Sequence, residues 1–481
     1  MKKLFFLTEG GPGVGLGHIA RCLAIAETAR QDFDIEFILT EKSRACRDMI
    51  GEKNFLITFI PELKDALSID LNDSIVVLDS YSSEGELEGR ISQQGAKLLC
   101  LDDHASGPRE AEAIINPAGG VSYGLYCAES PMLVFTGPKY APLRTEFLDA
   151  AGSNSSGDFG KDRKGILICF GGADPNNDLF LYARKCRNLL PNEKITLVSS
   201  GIHSFHKEIP GFVSSQPDMF HKLNLDAAQL ANELSSHRLA ITSSSTIANE
   251  ACSIRIPLIA VLTASNQENL FLFLAGNGLA CCLEHVDDLE EALKKTGNRE
   301  QVKTQQAQQQ LFFDGRSGER IREILNCLTF PFYMRQAADR DSGILLSWAN
   351  DPETRLNSYY SEMITKDVHE KWYRKKLSDP GSRIWLAEDN ESIGMVRIDK
   401  EEDGYTMSIN LAPEQRGKGL AEKVLRMASL HFFSEFPDEN IYAWIKKDNI
   451  LSQKAFSAAG FIFVKEEMKH DVPSVQMLSE C

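Results

Sequence analysis

The sequence has no hydrophobic run long enough to cross a membrane, no paired-cysteine motif and no excess of positive charge. Its apolar stretches stay below the ~20 residues that a transmembrane helix needs. The 11 cysteines are scattered without a C-x-x-C pair, which argues against zinc or disulfide frameworks and for reduced thiols in a cytoplasm. Lys and Arg total 52 against 68 Asp and Glu, a net charge of −16, which argues against a nucleic-acid partner. We therefore expect a cytoplasmic protein without a membrane, nucleic-acid or metal partner.

Within these limits the composition is that of a globular protein, but the chain is too long for one domain. Its 481 residues exceed the ~250–300 at which single cores stop growing, and 43% of them are hydrophobic against 25% charged. The start MKKLFFLTEGG has only a short apolar segment before Glu9, which predicts a first strand and not a signal peptide. Two or three domains are expected.

The pattern of apolar runs predicts three domains. Strands and helices alternate through residues 1–150, which indicates a parallel sheet with crossover helices. After a linker rich in Gly, Ser and Asn at 151–165, a similar series fills residues 165–328. A proline in TFPFYM then interrupts the pattern, and residues 331–481 predict a smaller α+β unit with an antiparallel meander. The expected fold class is α/β with a C-terminal α+β domain.

A glycine-rich loop after the first predicted strand leads directly into a helix that carries His18 in its first turn. Gly15 and Gly17 let backbone amides approach an anion, but their spacing is not that of the G-x-G-x-x-G fingerprint, so NAD binding is not favoured. The helix dipole favours a neutral imidazole at this position, and a neutral imidazole is a usable general base. The alternative is a histidine that only caps or packs at the turn.

Polar residues at later strand ends support the functional interpretation of His18. Asp79 and Tyr81 follow one buried strand, and the sequence Asp-Asp-His at 102–104 follows the next. Because the carboxyl ends of parallel strands meet at one edge of a sheet, where open α/β sheets bind ligands, we expect these residues to gather near His18. Each of them taken alone is also compatible with a simple turn.

The second series of strands offers a counterpart site. Gly171-Gly172 opens a loop after its first strand, and Ser244-Ser245-Thr246 forms a small-residue loop at a helix N-terminus. Such a loop offers N–H donors and half a positive charge, which suits a diphosphate without a metal. Glu250 is placed to accept hydrogen bonds from ribose hydroxyls, with a solvated helix face as the alternative. Asn266-Gln267 follows the next strand, beside the same predicted cleft.

An ordered set of segments carries a resemblance to a known family. The segments are GLGHIARCLAIA, VVLDSY, CLDDHA, IINP, FTGPKYAPLRTEF, ICFGGADPNN, SSSTIANEACSIRIPLIAV, SNQENLFLFLAGNGLA and DGRSGERI. Together they resemble the UDP-sugar hydrolases of pseudaminic acid biosynthesis, over roughly residues 1–328. The resemblance implies two Rossmann-like domains that face each other across a cleft, as in B-type glycosyltransferases.

The same resemblance implies roles for individual residues. His18 is similar to the catalytic base, Tyr81 and Asn266 are expected at the sugar, and Glu250 is expected at the nucleotide. The residues assigned to substrate binding are Gly15, Gly17, Asp79, Tyr81, Arg144, Gly171, Gly172, Ser244, Ser245, Thr246, Glu250, Asn266 and Gln267. UDP is a good leaving group whose charge a helix N-terminus and oriented amides can neutralise, so one base suffices and no second carboxyl acid is needed. We expect His18 to activate water for an inverting displacement at the anomeric carbon.

The tail contains a second motif, YTMSINLAPEQRGKGLAEKVLRMASLHFF. A predicted strand delivers a glycine-containing loop to a helix start, where consecutive N–H groups can clasp a pyrophosphate. The motif resembles the acyl-CoA loop of GNAT acetyltransferases, and KDNILSQKAFSAAGFIFV resembles a further motif of that family. The resemblance assigns acetyl-CoA to Asn410, Leu411, Gln415, Arg416, Gly417, Lys418, Gly419, Leu420, Ala421, Asn449 and Ser452.

The tail departs from the family pattern at Phe456. Many GNAT enzymes supply a proton to the departing thiolate from a tyrosine at this position, and phenylalanine cannot. Four residues are candidates for lining the amine site or, equally, for core packing: Tyr359, Tyr360, His369 and Trp372. The segment LLSWANDPETRLNSYYSEMITKDVHEKWYRKKL resembles the branch that acetylates amino sugars carried on nucleotides.

The two resemblances predict a bifunctional enzyme that N-acetylates a UDP-linked amino sugar and removes UDP from the diacetamido product. A glycosyltransferase, in which His18 deprotonates an acceptor hydroxyl instead of water, is the alternative for the front part. A module that binds acyl-CoA without catalysis is the alternative for the tail.

Overall fold

A computed structural model of the chain describes residues 1–11, 14–81, 85–107, 109–126, 132–153, 163–172, 174, 176–203 and 205–481. Most of the predicted linker at 151–165 lies outside these residues. The chain forms two compact units, and the division falls between Leu325 and Asn326.

The first unit opens with a seven-stranded sheet. Its strands are β1 (Lys2–Thr8), β2 (Phe33–Thr40), β3 (Leu56–Ile60), β4 (Ile75–Asp79), β5 (Lys97–Leu101), β6 (Ala113–Asn116) and β7 (Leu133–Thr136). Its helices are α1 (Gly17–Ala29), α2 (Arg47–Gly51), α3 (Gly85–Gln93), α4 (Tyr123–Tyr126) and α5 (Thr145–Ser153). The strand order is β3-β2-β1-β4-β5-β6-β7, and the pairs from β3 to β6 are parallel. Chain order reverses between β1 and β4, and such a switch point opens a crevice at the carboxyl ends of the strands.

A second parallel sheet follows in the same unit. Its strands are β8 (Ile166–Cys169), β9 (Ile195–Ser199), β10 (Met219–Leu223), β11 (Leu239–Ser243), β12 (Leu258–Val261) and β13 (Cys281–Leu283), in the order β10-β9-β8-β11-β12-β13. Its helices are α6 (Asp178–Leu189), α7 (Ile209–Ser214), α8 (Ala227–Ser236), α9 (Thr246–Ser253), α10 (Glu268–Gly276), α11 (Leu289–Gly297), α12 (Arg299–Phe312) and α13 (Ser317–Leu328). The α/β class with parallel sheets is as predicted.

Both faces of the second sheet are covered, which explains its continuous apolar runs. Ile166 and Ile168 of β8 pack into one core, whereas Leu167 and Cys169 pack into the other. Alternate residues point to opposite faces of a strand, so a strand that is buried on both faces has no polar position.

Helix α13 returns to the first half of the unit. Arg322 forms an ion pair with Asp32, with NH2 2.9 Å from Oδ1. A Cβ atom at Gly318 would lie 3.2 Å from Oγ1 of Thr28 on α1, so the two helices approach closely at this glycine. The first sheet and its helices are therefore completed by a segment almost 300 residues further along the chain.

The second unit contains a seven-stranded mixed sheet. Its strands are β14 (Tyr333–Gln336), β15 (Ser382–Asp389), β16 (Glu391–Glu401), β17 (Gly404–Leu411), β18 (Ile441–Lys446), β19 (Ile462–Lys469) and β20 (Val472–Ser479), in the order β14-β15-β16-β17-β18-β20-β19. Its helices are α14 (Ser342–Ala349), α15 (Pro352–Asn357), α16 (Lys366–Leu377), α17 (Leu420–Glu435) and α18 (Ile450–Ala458).

The predicted antiparallel meander holds for this sheet except at its centre. β17 and β18 are parallel because α17 connects them as a crossover. They pair only through Tyr405 with Ile441 and Thr406 with Tyr442, so the strands separate beyond Thr406. Among the residues that the structure describes, no helix in either unit has the length and apolar character needed to span a membrane.

Candidate functional site

The glycine loops of the two halves of the first unit face each other. A Cβ atom at Gly17 would lie 3.8 Å from Oγ1 of Thr246, and one at Gly172 would lie 2.9 Å from Cγ of Leu16. Gly171 has a φ of 80°, a left-handed conformation that favours glycine. The loop before α1 and the loop before α9 therefore meet.

His18 lies at this meeting point and is bound to Asp79. Its Nδ1 is 2.6 Å from Oδ1 of Asp79, and the ring is only 3% exposed. Burial disfavours the charged form of Asp79, but the adjacent Arg21 and His18 outweigh it and hold the pKa of Asp79 well below its usual range. An ionised carboxylate can only accept, so Nδ1 carries a proton, and the lone pair of a neutral imidazole at this site is on Nε2.

Asp79 corrects one prediction from the sequence. We assigned it to substrate binding, but it has no exposed surface. Its carboxylate accepts from His18 and, at 2.5 Å each, from Nε and NH2 of Arg21. It therefore orients the histidine and does not line the cleft.

Tyr81 connects the two halves. Its hydroxyl donates to Oδ2 of Asp103 at 3.0 Å and accepts from Nδ2 of Asn266 at 2.8 Å. Its ring packs edge-on to His18, with centroids 4.4 Å apart. Burial and the Asp103 charge raise the pKa of the Tyr81 phenol, which favours its protonated form. Tyr81, Asn266 and His18 are thus brought together, as expected.

Glu250 is not on a solvated helix face. It is 2% exposed, and its two carboxylate oxygens accept from Nε and NH2 of Arg144 at 2.6 and 2.9 Å. Arg144 precedes α5, so this bidentate pair again links the two halves. A ribose hydroxyl would have to use the remaining lone pairs of Glu250.

Three assigned substrate residues are partly occupied by local hydrogen bonds. The N–H of Ser244 donates to the carbonyl of Val261, so this amide is not free for a phosphate, although its buried Oγ has no partner among the described residues. Oε1 of Gln267 accepts from both N and Oγ1 of Thr263. The N–H of Ser245 also donates, at 2.9 Å, to the carbonyl of Ser243, so the helix-side donors of the loop begin only at Thr246.

Sequence reasoning gave no role to Arg21 or Asn269. Arg21 lies three residues after His18 and so on the same face of α1, a signal that the spacing offered. Asn269 donates from Nδ2 to the carbonyl of Asp103 at 3.2 Å. Asp102, by contrast, accepts from the N–H groups of His104 and Ser106, which is the simple turn that the sequence left open.

In the second unit, the loop Gln415–Ala421 leads into α17 as predicted. Gly417 and Gly419 have φ values of 73° and 71°, and a Cβ atom at either would meet nothing within 4 Å. Lys418 donates to Oε1 of Gln415 at 2.9 Å. The backbone of the loop is therefore turned outward and open, a geometry suited to an anion.

Arg416 has a different partner from the one we expected. Its NH1 lies 2.6 Å from Asp351 and 3.1 Å from Glu353, and its NH2 donates to Oγ1 of Thr354 at 2.9 Å. Thr354 in turn donates to Oδ1 of Asn410 at 3.2 Å. These hydrogen bonds link the start of α15 to the loop, so the guanidinium is not directed at a phosphate.

The remaining residues of the tail have structural contacts. Oδ1 of Asn449 accepts from the N–H of Ser452 at 3.1 Å and caps α18. Phe456 is 3% exposed and packs against Phe461. Among the aromatic candidates, His369 is buried and Trp372 packs beside it, Tyr359 donates to Oγ of Ser474, and Tyr360 is 70% exposed. Among the described residues, no three His, Cys, Asp or Glu side chains form a group suited to a metal.

Comparison with known proteins defines the class of each part. Residues 332–462 match the family model of the acetyltransferase (GNAT) domain. The chain thus carries a GNAT acetyltransferase domain at its C-terminus, and its N-terminal part is a homologue of the UDP-diacetamido-trideoxy-altropyranose hydrolase family.

Three relatives illustrate this organisation. The UDP-2,4-diacetamido-2,4,6-trideoxy-beta-L-altropyranose hydrolase of Campylobacter jejuni is 26% identical over 57% of this chain and 97% of its own length. An uncharacterized protein of Methanocaldococcus jannaschii is 23% identical over 98% of both chains, so the alignment runs through both units. The spore coat polysaccharide biosynthesis protein SpsG of Bacillus subtilis is 24% identical over 36% of this chain and 51% of its own.

Solved acetyltransferases align with the tail. Spermidine N-acetyltransferase from Vibrio cholerae, in complex with CoA and spermine, is 19% identical with a TM-score of 0.29, over 31% of this chain and 95% of that one. The aminoglycoside acetyltransferase AAC(6')-Ib, in complex with coenzyme A, is 19% identical with a TM-score of 0.29, over 31% of this chain and 94% of its own.

Proposed function

We propose that this chain is a bifunctional nucleotide-sugar enzyme of pseudaminic (nonulosonic) acid biosynthesis in the cytoplasm. Residues 1–328 hydrolyse a UDP-diacetamido-trideoxyhexose to UDP and the free sugar. Residues 331–481 transfer an acetyl group from acetyl-CoA to an amino group of the UDP-linked precursor. Two consecutive steps on one sugar account for the fusion of the two parts, and the hydrolase part is proposed to work as two facing Rossmann-like domains of the B-type glycosyltransferase kind.

The hydrolase proposal depends chiefly on the contact between His18 and Asp79. Asp79 leaves the lone pair on Nε2 of a histidine at the switch point of the first sheet. Thr246, at the N-terminus of α9, lies against Gly17, the residue before His18. A diphosphate bound at that helix N-terminus therefore brings its sugar to the histidine.

The proposed reaction needs one base and a stabilised leaving group. Nε2 of His18 accepts a proton from water while the water oxygen forms a bond to the anomeric carbon. The bond from that carbon to the UDP oxygen breaks with inversion, and UDP leaves with the electron pair. The N–H group of Thr246 and the dipole of α9 stabilise the charge on UDP.

For the acetyltransferase part, we propose that the open loop Gln415–Ala421 binds the pyrophosphate of acetyl-CoA. The separation of β17 from β18 beyond Thr406 leaves room for the thioester beside Asn410 and Leu411, the last residues of β17. The amine of the sugar attacks the thioester carbon and loses a proton to water as the amide forms, while the carbon–sulfur bond breaks and CoA leaves as the thiolate. Its proton comes from water or from a group other than Phe456.

Phe456 favours a second candidate for the tail alone, a module that binds acyl-CoA without turnover. It occupies the position of the usual proton donor and is buried against Phe461. Such a module would hold acetyl-CoA and leave the sugar amine unmodified.

One assay distinguishes these functions. The full chain is supplied with a panel of UDP-amino sugars and acetyl-CoA, and release of CoA and of UDP is measured separately. We expect CoA release first and then UDP release without any acceptor, and His18→Ala should lower UDP release by roughly 10²–10⁴-fold while leaving CoA release unchanged. UDP release only with an added acceptor would indicate a glycosyltransferase, and binding of acetyl-CoA without CoA release would indicate the binding module.

A further inference from the structure

Arg21 lies at the centre of the hydrogen-bonded cluster around His18. Its side chain is 6% exposed. Nε and NH2 donate to the two oxygens of Asp79 at 2.5 Å each, and NH1 donates to Oδ2 of Asp103. One guanidinium therefore binds two carboxylates, from the end of β4 and from the loop after β5.

Each of these carboxylates also accepts a hydrogen bond from a second side chain. Asp79 accepts from Nδ1 of His18, and Asp103 accepts from the hydroxyl of Tyr81. Tyr81 in turn accepts from Asn266 of the second half. A continuous chain of hydrogen bonds thus connects the histidine, through Arg21, to the residue that meets the nucleotide-binding half.

We propose that Arg21 is a positioning residue for the hydrolytic reaction: it fixes His18 and Tyr81 relative to each other and balances the two carboxylates beside the base. This inference rests on the proposed hydrolase function. Arg21 acts through Asp79, Asp103 and the adjacent Nδ1 of His18, and its contacts among the described residues do not include Nε2, the proposed proton acceptor.

The shape of the Arg21 side chain suits it to hold both carboxylates. NH2 of Arg21 and Nδ1 of His18 are 3.1 Å apart, and both point their hydrogens at the same oxygen of Asp79. A planar fork can serve Asp79 through two nitrogens and Asp103 through the third. A lysine brings one ammonium and cannot hold both carboxylates in place at once.

The titratable groups that contact His18 are Arg21 of α1, Asp79 at the end of β4 and Tyr81 in the loop that follows. The buried thiol of Cys22 on α1 contacts Asp79. Asp103 and His104 act through Arg21 and Tyr81, respectively. Without the guanidinium, two carboxylates remain near the histidine and favour its protonated form. As the pH falls, His18 then becomes protonated, and stops acting as a base, at a higher pH than in the wild type.

Two variants of Arg21 separate the effect of its shape from the effect of its charge. For the full chain, kcat and KM of UDP release are measured across pH. R21K keeps the charge and should lower kcat by about 10- to 100-fold, with KM and the acidic limb of the kcat/KM profile close to wild type. R21M should also move that limb to higher pH by about one unit.

Arg187 provides a matched control. It is buried to a similar degree, and its NH1 donates to the carbonyls of Leu190 and Pro191 at the end of α6. R187K should leave kcat and the pH profile as in the wild type, and thermal unfolding by circular dichroism shows whether each variant is folded. If R21M does not fold, R21K alone decides the geometric role.

The possible results distinguish a failure of the proposed role of Arg21 from a failure of the proposed hydrolase function. A wild-type enzyme that releases UDP and an R21K variant with unchanged kcat would overturn the role of Arg21. A folded R21M variant with an unshifted pH profile would overturn the effect of the Arg21 charge on His18. Absence of UDP release by the wild-type enzyme would contradict the proposed hydrolase function itself.

Discussion

Asp79 has no exposed surface, and its contact with Nδ1 of His18 requires a proton on that nitrogen. We expect Asp79→Asn to lower kcat for UDP release by roughly 10²–10⁴-fold, with KM nearly unchanged. Arg21 donates to both oxygens of Asp79, so an amide in its place must turn its oxygen toward Arg21 and can donate from nitrogen to Nδ1 of His18. The histidine then carries its proton on Nε2 and cannot accept another from water. Steady-state kinetics with the UDP-diacetamido sugar provide the measurement.

Asp102→Asn is the matched control for this prediction. Asp102 is also buried, at 3% exposure, and it accepts from main-chain and hydroxyl groups of its own turn. Its amide variant should retain UDP release within about 10-fold, since it does not contact His18. Equal losses in both variants would show that the effect of Asp79→Asn is a general loss of stability.

The contacts of Arg416 with the start of α15 predict an effect on the acetyltransferase part. Arg416→Glu should lower CoA release by more than about 10-fold and leave UDP release unchanged, because a carboxylate at this position repels Asp351 and Glu353. Lys418→Glu changes charge in the same loop, but its side chain contacts only Gln415 in the described residues. The Arg416 variant should therefore be the more impaired of the two. A larger loss in the Lys418 variant would indicate that cation charge toward the phosphates, and not the contact with α15, is the main contribution of the loop side chains.

Helix α17 carries a buried histidine that makes the stability of the second unit depend on pH. Burial lowers the pKa of His431 to about 4, against about 6.5 in an unfolded chain. Between these values the unfolded chain binds a proton that the folded unit excludes, so the free energy of unfolding decreases as the pH falls from about 6.5 to 4. The slope should approach ~1.4 kcal/mol per pH unit from this residue.

The sequence supplies a selective probe for this measurement. All four tryptophans, at 348, 372, 385 and 444, lie in the second unit, so tryptophan fluorescence of the full chain follows the unfolding of that unit alone. His431→Leu should reduce the slope, and buried His369, whose pKa is also lowered by burial, should account for part of what remains. An unchanged slope in His431→Leu would contradict the assignment.

At the scale of the whole molecule, we predict that the two activities separate on either side of Leu328. A chain of residues 1–328 should release UDP from the diacetamido sugar, and a chain of residues 329–481 should consume acetyl-CoA with the amino sugar, because each part has its own sheet and core. A chain that ends at residue 312 should lose UDP release, since it lacks α13 and with it the ion pair of Arg322 with Asp32. Retention of activity without α13 would show that this helix is dispensable, and a folded tail that binds acetyl-CoA without CoA release would favour the binding module.

Much of the architecture follows from local sequence. Apolar runs of the length of a strand, separated by helical patterns, predict the parallel sheets, and a glycine loop before a helix predicts where anions can bind. The positions of His18 and of the Gln415–Ala421 loop were predictable for this reason, since both depend on a strand end followed immediately by a helix start. The mixed character of the last sheet was not, because strand spacing does not show that α17 carries the chain across to a parallel neighbour.

The order of the elements, and the loops at strand ends that carry polar residues, can therefore be predicted from the sequence alone. The tertiary structure was needed to show which of these side chains are bound to one another. The hydrogen-bonded pairs His18–Asp79, Arg144–Glu250 and Arg416–Asp351 are separated by 61, 106 and 65 residues along the chain, respectively. A side chain at a strand end looks the same in sequence whether it faces the cleft or a buried partner, because its partner is set by packing between distant elements and not by neighbours along the chain.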